Sequence, residues 1–353
     1  MVRYSKLQFR TLLRHYNCDL CYTPMILADS FCQSAKARRN EFTTNLFDTP
    51  LVTQFAANNM NDFLNAAKIV APYCDGVDLN CGCPQRWAKQ IGIGCVMLEK
   101  PELIADVIKQ CRNQIPKPFT VSVKMRILKD MRSTVEICRT LDKCGVSFLA
   151  VHGRTSSQLT GEVDPINFKL INENISCPLV ANGGIRTLEE CYKLQALTNC
   201  KGVMVANSIL TNPMLFSDSE KVDSSCIQNW LDICYNSTLS EYEYTKVVNT
   251  KTIAEKPPHL TFQCFHHHLV FMLEKTAKTL NLNLETKPHL EGVSGNSEEC
   301  ISIFGSTFAG LELSIIPHQS DWLVSDASVW SVSGTGDIRN RSKLQVILST
   351  LVI

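Results

Sequence analysis

Asn80-Cys81-Gly82-Cys83-Pro84-Gln85-Arg86-Trp87 brings two thiols, a guanidinium and an aromatic plane into one short run. Gly82 and Pro84 force a sharp turn, since Gly admits unusual φ values and Pro lacks a backbone donor. A cysteine fixed at such a turn can act as nucleophile, general acid or redox centre. Cys83, beside Arg86 and Trp87, is the candidate for that chemistry, whereas Cys81 reads as a small buried hydrophobe. Zinc needs more ligands at fixed spacing than Cys-x-Cys supplies, so no metal is expected. Cys18-x-x-Cys21 opens no helix and has no second pair, so neither redox nor zinc chemistry is expected there.

The elements that hold Cys83 repeat along the chain. Gly76-Val77-Asp78-Leu79 reads as a short buried strand feeding the turn. Similar strands are expected at 19–25, where Pro24 marks the end, and at 50–55, 119–124, 146–151, 178–181 and 202–206. Helices are expected over 59–70, from Pro101 onward and over 132–143. This strand–helix alternation predicts a parallel α/β sheet, specifically a (β/α)8 TIM-type barrel. Seven strands are countable, and the first strand of the barrel is expected to precede Met1.

Nearly every strand finishes in a polar or Gly-bearing residue: Gln54, Cys83, Lys124, His152, Asn182, Asn207. In a barrel these ends converge on one face. Lys124 and His152 offer cationic and hydrogen-bonding partners to an electron-rich ring or a phosphate. The Gln54 amide can serve both edges of a heterocycle. The last two strand ends suit a phosphate. Together these point to a phosphorylated planar cofactor, a flavin mononucleotide more than a dinucleotide, and no Gly-x-Gly-x-x-Gly follows a strand.

The chain has 353 residues, 44% hydrophobic and 20% charged, enough for a full core. A net charge of +1 excludes a globally basic nucleic-acid binder but permits a local basic groove. The 17 cysteines are scattered singly, the usage of reduced thiols in a cytoplasmic protein, with nucleus or mitochondrion as alternatives. No stretch has the apolar length of a membrane span. Residues 1–16 carry Arg3, Lys6, Arg10 and Arg14 and could imitate a mitochondrial presequence; the preferred reading is the first amphipathic helix of the fold.

The runs NCGCPQRWA, VKMR, HGRT, ANGGI and GVMVA, in this order and spacing, resemble the tRNA-dihydrouridine synthases, most of all the eukaryotic subgroup acting on D-loop positions 20a and 20b. The resemblance covers about Met1 to Phe216 and returns at Phe265 to Lys275. It implies an FMN-containing barrel over 1–216 and a helical tRNA-binding domain over 217–284, acting as a monomer. NADPH or NADH would reduce the flavin, which passes hydride to C6 of uridine while Cys83 protonates C5. Gln54, Lys124 and His152 would contact FMN, with Asn182, Gly183, Gly184, Ala206 and Asn207 at its phosphate. Arg86, Trp87, Arg126 and Arg154 would face the tRNA, Trp87 stacking on a base drawn from its fold or else packing in the core.

Three departures stand out. The family begins with a strand ending in Ala-Pro-Met, where this chain has Met1 and Val-Arg-Tyr-Ser. Asn182-Gly183-Gly184 replaces Asn-Gly-Asp, and Ala206-Asn207-Ser208 replaces Ala-Arg-Gly, removing a cation and a Gly from the phosphate loop. The missing strand and the Asn207-Ser208 change favour a rival, a catalytically silent relative that binds tRNA or a protein partner; a third reading, a flavin-free phosphate-binding barrel isomerase, explains the phosphate loops but not NCGCPQRWA. Residues 235–260 read as a polar insert, and 285–353 as an irregular tail for which an alternative or mis-spliced reading frame is the expectation. Between them a helix is expected over 262–280, its His266-His267-His268 pointing in different directions, toward RNA or the surface.

Overall fold

The computed structural model describes residues 3–237 and 260–279. The polar insert and the tail lie almost wholly outside them. Strands β1 (Cys21–Tyr22) and β2 (Ile26–Leu27) share one position beside β3 (Leu51–Ala56). The break falls at Thr23-Pro24-Met25. Pro24 therefore interrupts this strand and does not end it, because pairing resumes once a backbone donor is available again. The sheet continues in chain order through β4 (Gly76–Cys81), β5 (Thr120–Arg126), β6 (Phe148–His152), β7 (Leu179–Asn182) and β8 (Gly202–Met204). Every pairing is parallel.

Helix α1 (Leu7–His15) precedes the sheet; helices fill the connections, as parallel crossovers require: α2 (Ala28–Gln33), α3 (Ala35–Glu41), α4 (Met60–Val70), α5 (Arg86–Gln90), α6 (Pro101–Gln114), α7 (Met131–Lys143), α8 (Pro165–Asn172) and α9 (Leu188–Thr198), and α10 (Asn207–Thr211) follows β8. Asn59 caps α4 through the Asp62 N–H and Pro101 opens α6, as their types dictate. The result is a TIM-barrel-like α/β architecture. Two further helices, α11 (Ser224–Asn236) and α12 (Phe262–Thr279), follow the sheet. No described helix is long and apolar enough to cross a membrane.

Strand register sorts the side chains by a period of two. Val77, Leu79, Cys81, Val121, Val123, Leu149, Val151, Leu179, Ala181 and Val203 face the helices and form the main core with them. Val52, Phe148, Ala150, Val180 and Met204 face the other way and pack with Leu20 and Tyr22. Leu20 and Tyr22 belong to one end of the sheet and Met204 to the other, so the sheet curls until its two ends share an apolar plug. Among the described residues no backbone pairing joins β8 to β1.

Helix α1 is a core element. Leu7, Phe9, Leu12 and Leu13 are buried, and Arg10 and Arg14 both reach the buried Asp48, at 2.7 and 3.0 Å. The basic residues that could pass for a presequence therefore hold the helix to the segment before β3. The histidine run needs a similar correction. His268 is fully buried, stacked on Phe9 at 4.1 Å between centroids, and its Nε2–H donates to the Tyr4 carbonyl at 3.0 Å. It is a core group, and only the half-buried His266 and His267 are left for surface roles.

Candidate active site

Above the apolar plug, the inward positions of the strands turn polar. Register places Gln54 beside Asp78, Asn80 beside Lys124, Arg126 beside His152, and His152 beside Asn182. Four strand ends expected from the sequence to meet, Gln54, Lys124, His152 and Asn182, thus lie on one inner rim. Lys124 Nζ donates to Asn182 Oδ1 at 3.0 Å, and Asn182 Nδ2 donates to the Met204 carbonyl at 2.7 Å.

The Cys83 turn is fastened from three sides. Asn80 Oδ1 accepts the Gly82 and Cys83 N–H groups at 3.1 and 2.9 Å. The Cys83 carbonyl accepts the Cys95 N–H at 3.0 Å. Gly94, at φ +73°, permits that approach: a Cβ there would stand 2.5 Å from the Cys83 carbonyl oxygen. Arg126 Nε donates to the Gly82 carbonyl at 3.0 Å and its Nη1 to Thr155 and Gln158 carbonyls at 2.8 and 3.1 Å. Cys83 is half-buried and lies close enough to Lys124 and Arg126 to act on both electrostatically. Cys81, one pleat away, is fully buried among helix-facing residues, and burial pushes its thiol well above the ordinary range.

Neighbouring charges shape the rim. Loss of hydration and the nearby Lys124, Arg126 and Arg154 bring the His152 imidazole down to about 3, so it is neutral near pH 7. Desolvation brings Lys124 down to about 8, partly offset by Asp78. Burial lifts Asp78 to about 6 against the hydrogen bonds from Ser122 and Gln54 and the charge of Lys124. At neutral pH the rim therefore combines an ammonium, a neutral imidazole, two oriented amides and a carboxylate beneath them.

The residues set aside for RNA fall in different places. Arg86 and Trp87 begin α5 and are exposed, Trp87 by 41%, so Trp87 is not a core residue. Arg154 is half-buried; its Nε donates to the Gly161 carbonyl at 3.0 Å and its Nη1 lies 3.3 Å from His152 Nε2. Arg126 is buried and acts as a brace. In the loop after β7, Gly183 has φ +121° and Gly184 φ +80°. Ala206 precedes α10, Asn207 is exposed as its first residue, and Ser208 Oγ donates to the Ile185 carbonyl at 2.6 Å, tying the two loops together. Asp78, Asn80 and Ser122 escaped the sequence reading. Their signal was a polar residue at alternate positions of β4 and β5: Asp78 and Asn80, and Ser122 and Lys124. Among the described residues no group of three or more His, Cys, Asp or Glu is arranged for a metal ion.

The dihydrouridine synthase family profile matches residues 1–301. A Homo sapiens protein described as tRNA-dihydrouridine(20a/20b) synthase [NAD(P)+]-like is 46% identical over 276 residues, 78% of this chain and 80% of that protein. The Schizosaccharomyces pombe tRNA-dihydrouridine(20a/20b) synthase [NAD(P)+] is 36% identical over 276 residues, covering 77% of each. Its Saccharomyces cerevisiae counterpart is 35% identical over 317 residues, 87% of this chain and 78% of that protein. By the reach of the profile and the coverage of these relatives, the chain belongs to the dihydrouridine synthase family.

Proposed function

We propose that this protein reduces uridine to 5,6-dihydrouridine in the D-loop of tRNA, using FMN and NAD(P)H, in the cytoplasm. The observation that carries the reading is the placement of Cys83 at a rim built from Gln54, Lys124, His152 and Asn182 on one face of a curled parallel sheet.

The residues present fit a flavin mononucleotide. The Gln54 amide serves a heterocycle, Lys124 supplies a cation, and His152 offers neutral ring nitrogens. Gly183 brings backbone so near His152 that a Cβ would stand 2.7 Å from its Cδ2, so the imidazole and the loop after β7 pack directly together. Asn182, Gly183, Gly184, Ala206 and Asn207 would hold the FMN phosphate. When bound, the flavin supplies the hydride that C6 of uracil accepts. Cys83 contributes the complementary proton, donating from Sγ to C5 so that the C5=C6 bond is saturated. The fastened turn holds that thiol in place, and the braced Arg126 keeps the 155–158 loop beside it. Trp87 stacks on a base drawn out of the tRNA, Arg86 and Arg154 meet its phosphates, and the part of the chain that carries α11 and α12 holds the body of the tRNA.

The test has two stages. The purified chain should show a flavin absorption spectrum, and a colourless folded protein would return the silent relative to first place. Cys83→Ala should keep flavin and tRNA while dihydrouridine formation falls about a hundredfold or more. Unchanged activity would remove Cys83 from the mechanism.

A further inference from the structure

Beneath Cys83 lies a run of hydrogen bonds with one direction. Ser122 Oγ–H donates to Asp78 Oδ1 at 2.7 Å, and Gln54 Nε2 donates to Asp78 Oδ2 at 2.9 Å. Asn80 Nδ2 donates to Gln54 Oε1 at 3.0 Å. Asn80 Oδ1 then accepts the Gly82 and Cys83 N–H groups at 3.1 and 2.9 Å. Asp78, Ser122, Gln54 and Asn80 are all buried, so none of these bonds is readily replaced by water.

We propose that Asp78 is a positioning residue: its carboxylate sets the orientation of the Gln54 and Asn80 amides and, through them, the backbone of Cys83. The reason is donor and acceptor polarity. The two ends of a side-chain amide have nearly the same size, so shape alone does not choose between them. An ionised carboxylate accepts and cannot donate. Gln54 must therefore turn its NH2 toward Asp78 and its oxygen away. Asn80 must then present its NH2 to Gln54, which leaves Oδ1 facing the turn. A neutral amide at position 78 would accept or donate and would impose no such order.

The setting fits this role. Register puts Asp78 beside Gln54 and Ser122 at once, so one inward position meets both strands. A fully buried carboxylate is unfavourable to a fold unless its charge is used, and burial does lift Asp78 to about 6. Lys124, whose charge favours the ionised form of Asp78, belongs to the same inner rim. That the relay serves chemistry rests on Cys83 being the acid proposed above; the direction of the hydrogen bonds does not.

Amide hydrogen exchange on the full chain tests the relay without assaying activity. In Asp78→Asn, exchange at the Gly82 and Cys83 amides should quicken about tenfold while the β4 amides keep their protection. Gln54→Glu sets two acceptors against each other and should quicken the same amides. The double variant Asp78→Asn/Gln54→Glu exchanges donor and acceptor between the two positions and conserves the charge. It should return the Gly82 and Cys83 amides to within about twofold of the parent. Unchanged exchange in Asp78→Asn, or a double variant no better protected than the worse single one, overturns the proposal. If a single variant unfolds throughout β4, recovery or failure in the double variant decides alone. An intact relay together with an active Cys83→Ala enzyme would discard the role of Cys83 and keep that of Asp78.

Discussion

Lys124 reaches Asn182 at 3.0 Å by passing over Ala150, its register neighbour on β6. β5 and β7 are not adjacent, and the Ala150 methyl on the strand between them takes up little of the space that the lysine spans. This bond fixes the ammonium at the rim and, with Asn182 held to the Met204 carbonyl, links β5, β7 and β8 in one polar line.

Lys124→Met should keep the fold and weaken flavin retention. The cation that would meet the ring or phosphate is gone, and charge-assisted contacts of this kind are about twice as strong as neutral ones. Absorbance of the flavin that survives gel filtration measures it, with at least about tenfold weaker binding expected at roughly 1.4 kcal/mol.

Gly183→Ala should disturb His152. The new methyl would stand 2.7 Å from His152 Cδ2, and the φ of +121° is one that side chains rarely adopt. A loss of about 1–3 kcal/mol is expected from the strain, read as a lower urea midpoint. Gly145→Ala provides the comparison: it carries the backbone penalty at φ +84° but meets no atom within 4 Å, so its loss should be smaller.

Asp78 should make stability and function diverge. Its folded value, about 6, lies above the ordinary 3.8, so the folded state holds more protons than the unfolded state between them. The associated stability is complete below about pH 4 and is lost as pH rises through about 6. Asp78→Asn abolishes that loss, so above pH 7 the variant should be more stable than the parent by up to about 3 kcal/mol. Urea denaturation at pH 5 and pH 7.5 checks it, and turnover should fall in the same variant.

His268 gives the opposite slope. Burial brings it down to about 3 from 6.5, so the folded state binds fewer protons and stability falls as pH falls through that interval. Each unit below 6.5 costs up to about 1.4 kcal/mol from this group alone, and His152 adds a slope of the same sign. In His268→Leu the acid sensitivity should shrink, while stability at pH 7.5 falls through the lost Tyr4 bond and Phe9 stacking. Urea midpoints across pH 4.5–7.5 separate the two effects.

Legibility from sequence differed between elements for physical reasons. The strands at 51–56 and 179–182 stood out because both faces are buried and the runs are largely apolar, and 120–126 stood out through its alternation. Helix α7 stood out through its apolar stripe and the Gly145 that follows it. Helices α3, α8 and α9 were not anticipated. α3 buries no residue, α8 buries two and α9 three, too few to print a period. The site divided in the same way. Cys83, Gln54, Lys124, His152 and Asn182 were found because each ends a strand. Asp78 and Ser122 sit within strands, where a buried polar group has meaning only once its partner is known.

By itself the sequence determined the parallel strand–helix alternation, the family and the turn at Cys83. These follow from periodicity and from residues that act on their immediate neighbours. Tertiary structure decided which polar groups meet, and it turned Arg126 into a brace and His268 into core. It also decided that the Cys83 turn hangs from a carboxylate five positions earlier through a glutamine of the neighbouring strand. Hydrogen-bond direction is a property of pairs, and strand register, which brings the pairs together, is set by the packing of the whole sheet.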